Sequence, residues 1–155
     1  DGKFRQILEE TGMSIQKEVE MVGLARKMEM FSIVYVGSTE EAKGMAEAGA
    51  DAIIAHVGTT IGGSIGVVDA TMTISEAAER TQEIIDAAKT VRDDVFYLSH
   101  GGPISTPADA AYINENTEAV GFVGASSLER MAVEESLTSL TKEFKSIPCP
   151  AGKKG

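Results

Sequence analysis

Val95–Arg130 contains two loops of similar design, Ser-His-Gly-Gly-Pro at 99–103 and Gly-Ala-Ser-Ser at 124–127. Each loop follows a short apolar run that is typical of a buried strand, 95–98 before the first and 119–123 before the second, and each precedes a predicted helix. Loops of consecutive strand–loop–helix units lie side by side at the C-terminal edge of a parallel sheet, where α/β folds usually bind ligands. This stretch therefore predicts an α/β fold with a candidate site at these two loops.

The rest of the chain continues the same order of strand and helix. The predicted elements are helices 4–10 and 15–29 (the second capped by Ser14), strand 31–36, a helix from Ser38 to Gly49, strand 51–57, a helix from Thr73, strand 95–98, a short helix from Thr106, strand 119–123 and a helix over 128–145. Capping-box spacings, Ser38 with Glu41 and Thr73 with Glu76, mark two of the helix starts. Four β–loop–α units in a row imply a parallel sheet with right-handed crossovers.

For two of these elements the sequence also predicts which side chains are buried. The run 31–36 is β-branched and aromatic, which predicts a buried strand. The apolar side chains of the last helix are expected to point inward, and they are Met131, Leu137, Leu140 and Phe144.

Composition narrows the class of protein. The 155 residues suffice for one domain, and the formal charge of −10 argues against nucleic acid and against an anionic membrane surface as partners. Cys149 is the one cysteine, which excludes an internal disulfide, and we expect a cytoplasmic location. The sequence shows neither a signal peptide nor an apolar run of about 18 residues. Because the chain opens with Asp1 rather than Met, we expect a processed or truncated chain.

The two loops suit an anion because glycine-rich backbone that precedes a helix presents free N–H groups at the positive end of the helix dipole. The predicted phosphate- or substrate-binding residues are Ser99, Gly101, Gly102, Gly124, Ser126, Ser127 and Arg130. Simpler explanations remain open for them. The glycines also fit a tight turn, a serine also fits a helix cap, and Arg130 also fits a salt bridge to a neighbouring carboxylate.

His100 and His56 are the two histidines of the chain, and each lies where a predicted strand ends. At that position an imidazole can act as a general acid or base or can bind a substrate oxygen. The alternative is a histidine that only orients the loop backbone. A metal pair is conceivable, but no HxH, HExxH or cysteine spacing supports one, so the metal stays unknown.

A long loop from Gly58 to about Met72 follows the second predicted strand. It lacks the P-loop pattern, and its length favours a mobile lid or a polar wall over a simple connection. The residues that we assign to this lid are Gly58, Thr59, Thr60, Gly62 and Gly63. A disordered excursion is the alternative.

Several blocks occur in an order that resembles a known family. They are 4–14 (FRQILEETGMS), 18–21 (EVEM), 48–51 (AGAD), 92–94 (RDD), 98–104 (LSHGGPI) and 124–130 (GASSLER). Together they resemble the phosphoenolpyruvate-hydrolase-like TIM-barrel family, also described as phosphonopyruvate hydrolases, and the barrel domain of a plant antiviral resistance protein. The likeness covers residues 1–147 and is to the C-terminal half of the barrel, strands five to eight; residues 148–155 are then a flexible tail.

The resemblance implies an enzyme that acts on a small phosphorylated or phosphonylated keto acid. The loops after strands seven and eight would hold the phosphoryl group. His100 would give or accept a proton, His56 would line the opposite wall, and Mg²⁺ would neutralise charge if a carbon–phosphorus or phosphoester bond is hydrolysed.

Two alternatives to this interpretation stay open. The fold could be a small doubly wound parallel sheet, and the function could be that of a non-catalytic interaction module. A histidine pair that is buried without an open pocket would favour the module. A half barrel also leaves two strand edges and its inner face uncovered, so we expect a homo-oligomer or association with a missing N-terminal half.

Overall fold

The strands and helices alternate along the chain in the computed structural model, which describes residues 3–64 and 72–148. The elements are α1 (Lys3–Glu10), α2 (Ile15–Lys27), β1 (Ile33–Val36), α3 (Thr39–Ala48), β2 (Ala52–His56), α4 (Ile74–Lys89), β3 (Phe96–His100), α5 (Pro107–Asn116), a π-helical turn (Ser127–Met131) and α6 (Ala132–Lys145). The strands form a parallel sheet in the order β1-β2-β3. In its register His56 lies directly opposite His100.

Local capping explains where several helices begin. Thr73 with Glu76 starts α4 with both bonds of a capping box, which confirms the predicted box. Ser38 also caps α3 as predicted, but the Glu41 carboxylate accepts from Gly37 N rather than from Ser38 N. Ser14 makes no side-chain cap on α2.

Thr106 begins α5 with a second complete box, and Pro107 occupies the first turn of that helix. The carboxylate of Asp109 accepts from Ser105 N and Thr106 N at 3.2 and 2.8 Å. The Asp109 carboxylate, in the first turn of α5, therefore already stabilises the positive N-terminal end of this helix dipole.

The helices that pack on the sheet cover one of its faces. Val36, Ile53 and Tyr97 belong to the buried core together with side chains of α2, α3, α4 and α5. The opposite face carries Ile33 and Phe96, which are 57% and 60% exposed. A doubly wound sheet has helices on both faces, whereas a barrel has helices outside and side chains inside. The described chain is therefore a partial parallel barrel whose inner face is exposed at Ile33 and Phe96 and buried at Ala52 and Ile54 of the central strand.

The open inner face corrects the expectation that the strand over 31–36 is buried throughout. Strand β1 begins at Ile33, and only Val36 of its residues is fully buried, because β1 is an edge strand and alternate side chains point to the open face. Tyr35 is 46% exposed on that face.

The predicted fourth strand is reduced to a single parallel bridge between Ser99 and Phe122. The carbonyl of Tyr97 accepts from Val120 N, and the carbonyl of Ser99 accepts from Val123 N. Two residues along β3 therefore correspond to three residues along this segment. An extra residue of this kind is a β-bulge, which interrupts the ladder. The segment still runs beside β3 and places the loop at 124–127 next to His100.

The prediction that the last helix packs inward is wrong for the described chain. Leu137 and Phe144 are 60% and 65% exposed, and α6 has no fully buried residue. The amphipathic pattern is present, but no described element covers its apolar side. Residues 149–155, with Cys149 and most of the predicted tail, lie outside the described part. Within the described part, none of the helices is both long and apolar enough to cross a bilayer.

Candidate functional site

Two imidazoles form the centre of the candidate site at the C-terminal edge of the sheet. His56 and His100 end adjacent strands in register, and their ring centroids are 5.0 Å apart. The ring of Tyr35 lies 5.8 Å from His56 and 5.1 Å from His100, and the ring of Phe122 lies 6.5 Å from His100. His100 is 8% exposed, while His56 is only partly buried. The sequence prediction that these histidines share one site edge agrees with this placement; their catalytic role stays a prediction.

A backbone carbonyl fixes the tautomer of His100. Its Nδ1 lies 2.7 Å from the carbonyl oxygen of Val123. Because a carbonyl can only accept, Nδ1 carries the hydrogen. In the neutral ring Nε2 is then an unprotonated acceptor, which is the form that a general base requires.

The second histidine has the opposite tautomer. The N–H of Gly58 donates to Nδ1 of His56 at 3.3 Å, so the neutral His56 ring carries its hydrogen on Nε2. Burial, and then the positive charge of a protonated His100, lower the pKa of His56 from its ordinary value of 6.5. His56 therefore favours the neutral state, in which Nε2 donates a hydrogen bond. The pair combines one acceptor with one donor.

The depressed pKa of His56 predicts a loss of stability in mild acid. Below pH 6.5 the unfolded His56 takes up a proton before the folded one does, so the free energy of unfolding falls as the pH drops through this range. We expect urea unfolding to show a larger loss for the wild type than for His56→Asn between about pH 7.5 and about pH 5.5. Asparagine keeps an acceptor for Gly58 N but does not titrate. Equal losses in both proteins would contradict the shifted pKa.

Backbone contact between two loops explains the glycines at 99–103. Gly102 N donates to the carbonyl of Gly58 at 2.7 Å, and Ile61 N donates to the carbonyl of Gly102 at 3.1 Å. Gly101 and Gly102 have φ of 83° and 56°, and a Cβ on Gly101 would overlap the carbonyl oxygen of Gly58. The close approach of the loops thus requires glycine. A phosphate-binding role for the two glycines stays a prediction.

Ser99 lies on the other side of the sheet from the histidines. Successive residues of a strand point to opposite faces, so Ser99 shares the helix-covered face with Tyr97. It is fully buried, and its Oγ donates to the carbonyl of Gly121 at 3.4 Å. The structure does not bring this side chain to His100, contrary to the prediction that groups them.

The loop at 124–127 leads into the π-helical turn rather than into a regular helix start. Leu128 N and Glu129 N both donate to the carbonyl of Ala125, and Ser126 makes no side-chain cap. The Leu128 side chain packs against Gly124. Backbone N–H groups of Ser126 and Ser127 find no acceptor within residues 3–64 and 72–148. Their binding of a phosphate stays a prediction.

Arg130 connects the start of the last helix to the predicted lid. Its guanidinium pairs with Glu134 at 3.1 Å and donates to the carbonyl of Gly62 at 3.2 Å. Ser64 adds two bonds of 2.8 Å to the same carboxylate. Of the two explanations for an arginine here, the salt bridge is the one that the structure contains.

The lid residues occupy different environments. Thr60 is buried, Thr59 is exposed, and Gly58 is paired with Gly102 as described above. Gly62 and Gly63 have φ of 90° and 75°, and both lie against side chains that belong to the π-helical turn. Residues 65–71 of the predicted loop lie outside the described residues, and the lid function stays a prediction.

A cleft that the sequence reasoning missed opens beside His56. It encloses about 430 Å³ at the ends of β1 and β2, and its lining residues are Gly37, His56, Val57, Gly58, Thr59, Met72 and Arg80. Arg80 is a basic residue in the second turn of α4. The sequence signal for this cleft is a basic residue close to the start of a helix, because the helix start follows the C-terminal edge of the sheet, where ligands bind.

The described residues do not fit the Mg²⁺ that the resemblance suggested. They bring no group of three histidine, cysteine or carboxylate side chains together. The two imidazoles of the site offer nitrogen, whereas Mg²⁺ prefers carboxylate and water oxygens.

A family model described as Phosphoenolpyruvate hydrolase-like matches residues 1–147. The chain belongs to this family. Two tomato (Solanum lycopersicum) relatives, the ToMV susceptible protein tm-1(GCR26) and the ToMV resistance protein Tm-1(GCR237), are 47% identical to it over 148 residues. The match covers 95% of this chain and 20% of each tomato protein, so the chain spans about a fifth of their length.

Known structures agree with the partial barrel of this phosphoenolpyruvate-hydrolase-like chain. The N-acetylmannosamine-6-phosphate 2-epimerase from Clostridium perfringens superposes with a TM-score of 0.50 at 14% identity, over 84% of this chain and 48% of the epimerase. At that identity the likeness shows the fold alone, which is of the TIM-barrel type. Coverage of about half the epimerase fits half of a barrel.

Proposed function

We propose that this chain is part of a TIM-barrel enzyme that acts on a small phosphorylated or phosphonylated keto acid, as phosphoenolpyruvate and phosphonopyruvate are. The observation that carries the proposal is the pair of complementary tautomers, with Nε2 of His100 as acceptor and Nε2 of His56 as donor. Family membership of residues 1–147 supplies the substrate class. Two imidazoles 5.0 Å apart can serve one small molecule at once.

The chemistry of the pair suits hydrolysis at phosphorus. Nε2 of His100 takes a proton from a water molecule as the water oxygen attacks the phosphorus atom. The bond from phosphorus to the pyruvate part breaks, and its electron pair develops as an enolate. Nε2–H of His56 donates a hydrogen bond to the enolate oxygen, where the negative charge appears. This role requires a neutral His56, in which Nδ1 accepts from Gly58 N and Nε2 donates to the enolate oxygen. The lowered pKa of His56 supports the neutral state.

The surroundings of the pair favour an enzyme over a sealed structural cluster. Tyr35 and Phe122 flank the His100 ring and lower the polarity around it, which strengthens the hydrogen bonds that the ring makes. His56 also lines the open cleft of about 430 Å³, a size within the range of small-molecule sites. A ligand in this cleft therefore has direct access to one member of the pair.

The second candidate function is a non-catalytic module that binds a protein. The exposed apolar residues of α6 favour it, and they are Val133, Leu137, Leu140 and Phe144. The inner face of the sheet offers a further surface for a second copy of the chain or for a missing N-terminal half. Such a module needs no ligand at the histidines.

A thermal-shift titration separates the two functions. The 155-residue chain is melted with phosphoenolpyruvate, phosphate or pyruvate, each with and without Mg²⁺. A ligand at about 100 times its dissociation constant adds about 2.7 kcal/mol to the free energy of unfolding, or about 5–11 °C in melting temperature. We expect stabilisation by phosphoenolpyruvate and a smaller one by phosphate. A cooperative melt that none of these compounds shifts would contradict the enzyme and favour the module.

A further inference from the structure

The cleft beside His56 has the composition of an anion site. Within the described residues that line it, Arg80 supplies a cation, Thr59 a hydroxyl and His56 an imidazole, while none is a carboxylate. The cleft lies at the C-terminal ends of β1 and β2, which is the sheet edge where ligands of parallel α/β folds bind. We call it the Arg80 cleft.

A backbone contact holds Arg80 at the cleft. One Nη of its guanidinium donates to the carbonyl of Gly37, the residue after β1, at 3.0 Å. The other Nη pairs with Glu83 at 3.1 Å. Arg80 is 32% exposed and Glu83 61%, and an ion pair in such a wet setting is weak. An anionic ligand can therefore replace Glu83 at little cost, and the planar guanidinium fits two oxygens of a phosphoryl group.

The acidic side chains near Arg80 do not block this use. Glu40, whose pKa is lowered mainly by backbone and Thr39 hydrogen bonds, also feels the positive charges of Lys43 and Arg80. Glu40 and Glu83 are on the exposed surface of α3 and α4, and the Glu41 carboxylate accepts from Gly37 N at 2.7 Å; none of the three is among the residues that line the cleft. Water and salt screen exposed charges of this kind.

The cleft is also adjacent to the histidine pair. His56 lines it, and the ring of His56 is 5.0 Å from that of His100. At the sequence-predicted loops, in contrast, Gly102 N is bonded to Gly58 and the Arg130 guanidinium to Glu134 and Gly62. The open space, and the arginine whose ion pair is the more exposed of the two, are therefore on the β1–β2 side of the histidines.

We infer that the Arg80 cleft binds the phosphoryl or phosphonyl group of the substrate, with Arg80 as the residue that selects an anionic ligand. The inference rests on the proposed function for the identity of the substrate. It assigns the anchoring of the anion to Gly58 and Thr59, directly after β2, and to Arg80 of α4, and it keeps His100 at the attacking water and His56 at the enolate oxygen.

The test is a titration with inorganic phosphate, followed by calorimetry or by ³¹P NMR. Arg80→Gln is expected to raise the dissociation constant at least tenfold, because a charged hydrogen bond is lost. Arg80→Lys keeps the positive charge but lacks the planar guanidinium. Its dissociation constant for phosphate is expected to lie between those of the wild type and Arg80→Gln. Glu83→Gln frees the guanidinium and is expected to bind phosphate as tightly as the wild type or more tightly.

Two matched controls test whether phosphate binding depends on this cleft rather than on the net charge of the chain or on the loop at 124–127. Lys89→Gln removes one positive charge from the far end of the same helix, where Lys89 pairs with Glu118, and should leave the dissociation constant unchanged. Arg130→Gln tests the loop at 124–127 and should also leave it unchanged. Phosphate affinity that Arg80→Gln does not alter, a loss with Arg130→Gln instead, or a wild type that binds no phosphate would each overturn the inference.

Turnover of phosphoenolpyruvate distinguishes this inference from the proposed function. Phosphate binding that depends on Arg80, combined with turnover that His100→Asn does not change, would retain the cleft and refute the acid–base role. Turnover lost with His100→Asn, combined with a KM and a phosphate affinity that Arg80→Gln does not change, would retain the enzyme and refute the cleft.

Discussion

Replacing Gly101 with alanine is expected to lower the free energy of unfolding by about 3 kcal/mol and the melting temperature by about 6–12 °C. A residue with a side chain pays about 1–2 kcal/mol to hold the left-handed conformation that Gly101 adopts at φ 83°. The new Cβ also overlaps the carbonyl oxygen of Gly58 and forces the two loops apart. That movement breaks the bond from Gly102 N to Gly58, which adds about 1 kcal/mol.

Gly23→Ala is the matched control for this prediction. Gly23 lies within α2, its φ is not in the left-handed region, and a Cβ there meets nothing within 4 Å. Alanine in a helix interior is favoured over glycine by about 1 kcal/mol, so this variant should be as stable as the wild type or more stable. Denaturant unfolding of both variants provides the measurement. A Gly101→Ala protein as stable as Gly23→Ala would contradict the loop pairing.

Short-range chemistry made much of the fold predictable. Thr73 with Glu76 and Pro107 after Thr106 mark helix starts by bonds that form within a few residues, and the structure contains both. The strand after Asp51 was equally clear, because a central strand of a parallel sheet is apolar on both faces. The order of these units predicted a parallel α/β sheet, and the family resemblance implied that it is half of a barrel.

Features set by distant partners were not predictable. The apolar pattern of α6 indicates which side seeks a partner, but Leu137 and Phe144 are exposed because the described chain has no element against them. The segment 119–123 reads as a strand, yet its ladder depends on matching β3, and one extra residue reduces it to a bridge. Neither mismatch is visible within a single segment.

The candidate site was predictable in position but not in chemistry. The ends of two strands placed His56 and His100 together, as the register requires. Their tautomers depend on Val123 and Gly58, which reach the rings only in the folded chain. Arg80 was missed for a similar reason, since its bond to Gly37 spans 43 residues of sequence. Glycine has no side chain to signal which close contact requires it, so the pairing of the loop at 99–103 with Gly58 was not predicted, and the phosphate-binding role of that loop stays a prediction.

Replacing His100 with asparagine is expected to reduce turnover of the phosphorylated substrate by about 10²–10⁴-fold with little change in stability. The amide nitrogen of asparagine occupies nearly the place of Nδ1 and can still donate to the carbonyl of Val123. No atom remains at the place of Nε2, so the base is lost while the contact that orients residue 100 is kept. Steady-state kinetics with phosphoenolpyruvate and a thermal melt of the same preparation measure the two effects.

His100→Ala provides the comparison that separates chemistry from support. It removes the base and the donor together, which leaves the Val123 carbonyl unpaired and costs about 1 kcal/mol of stability in addition to turnover. The proposed base role requires that both variants lose turnover to the same degree although only alanine lowers the melting temperature. If asparagine restores turnover along with stability, His100 serves only to hold residues 121–123 against β3, and the base must be sought at another residue.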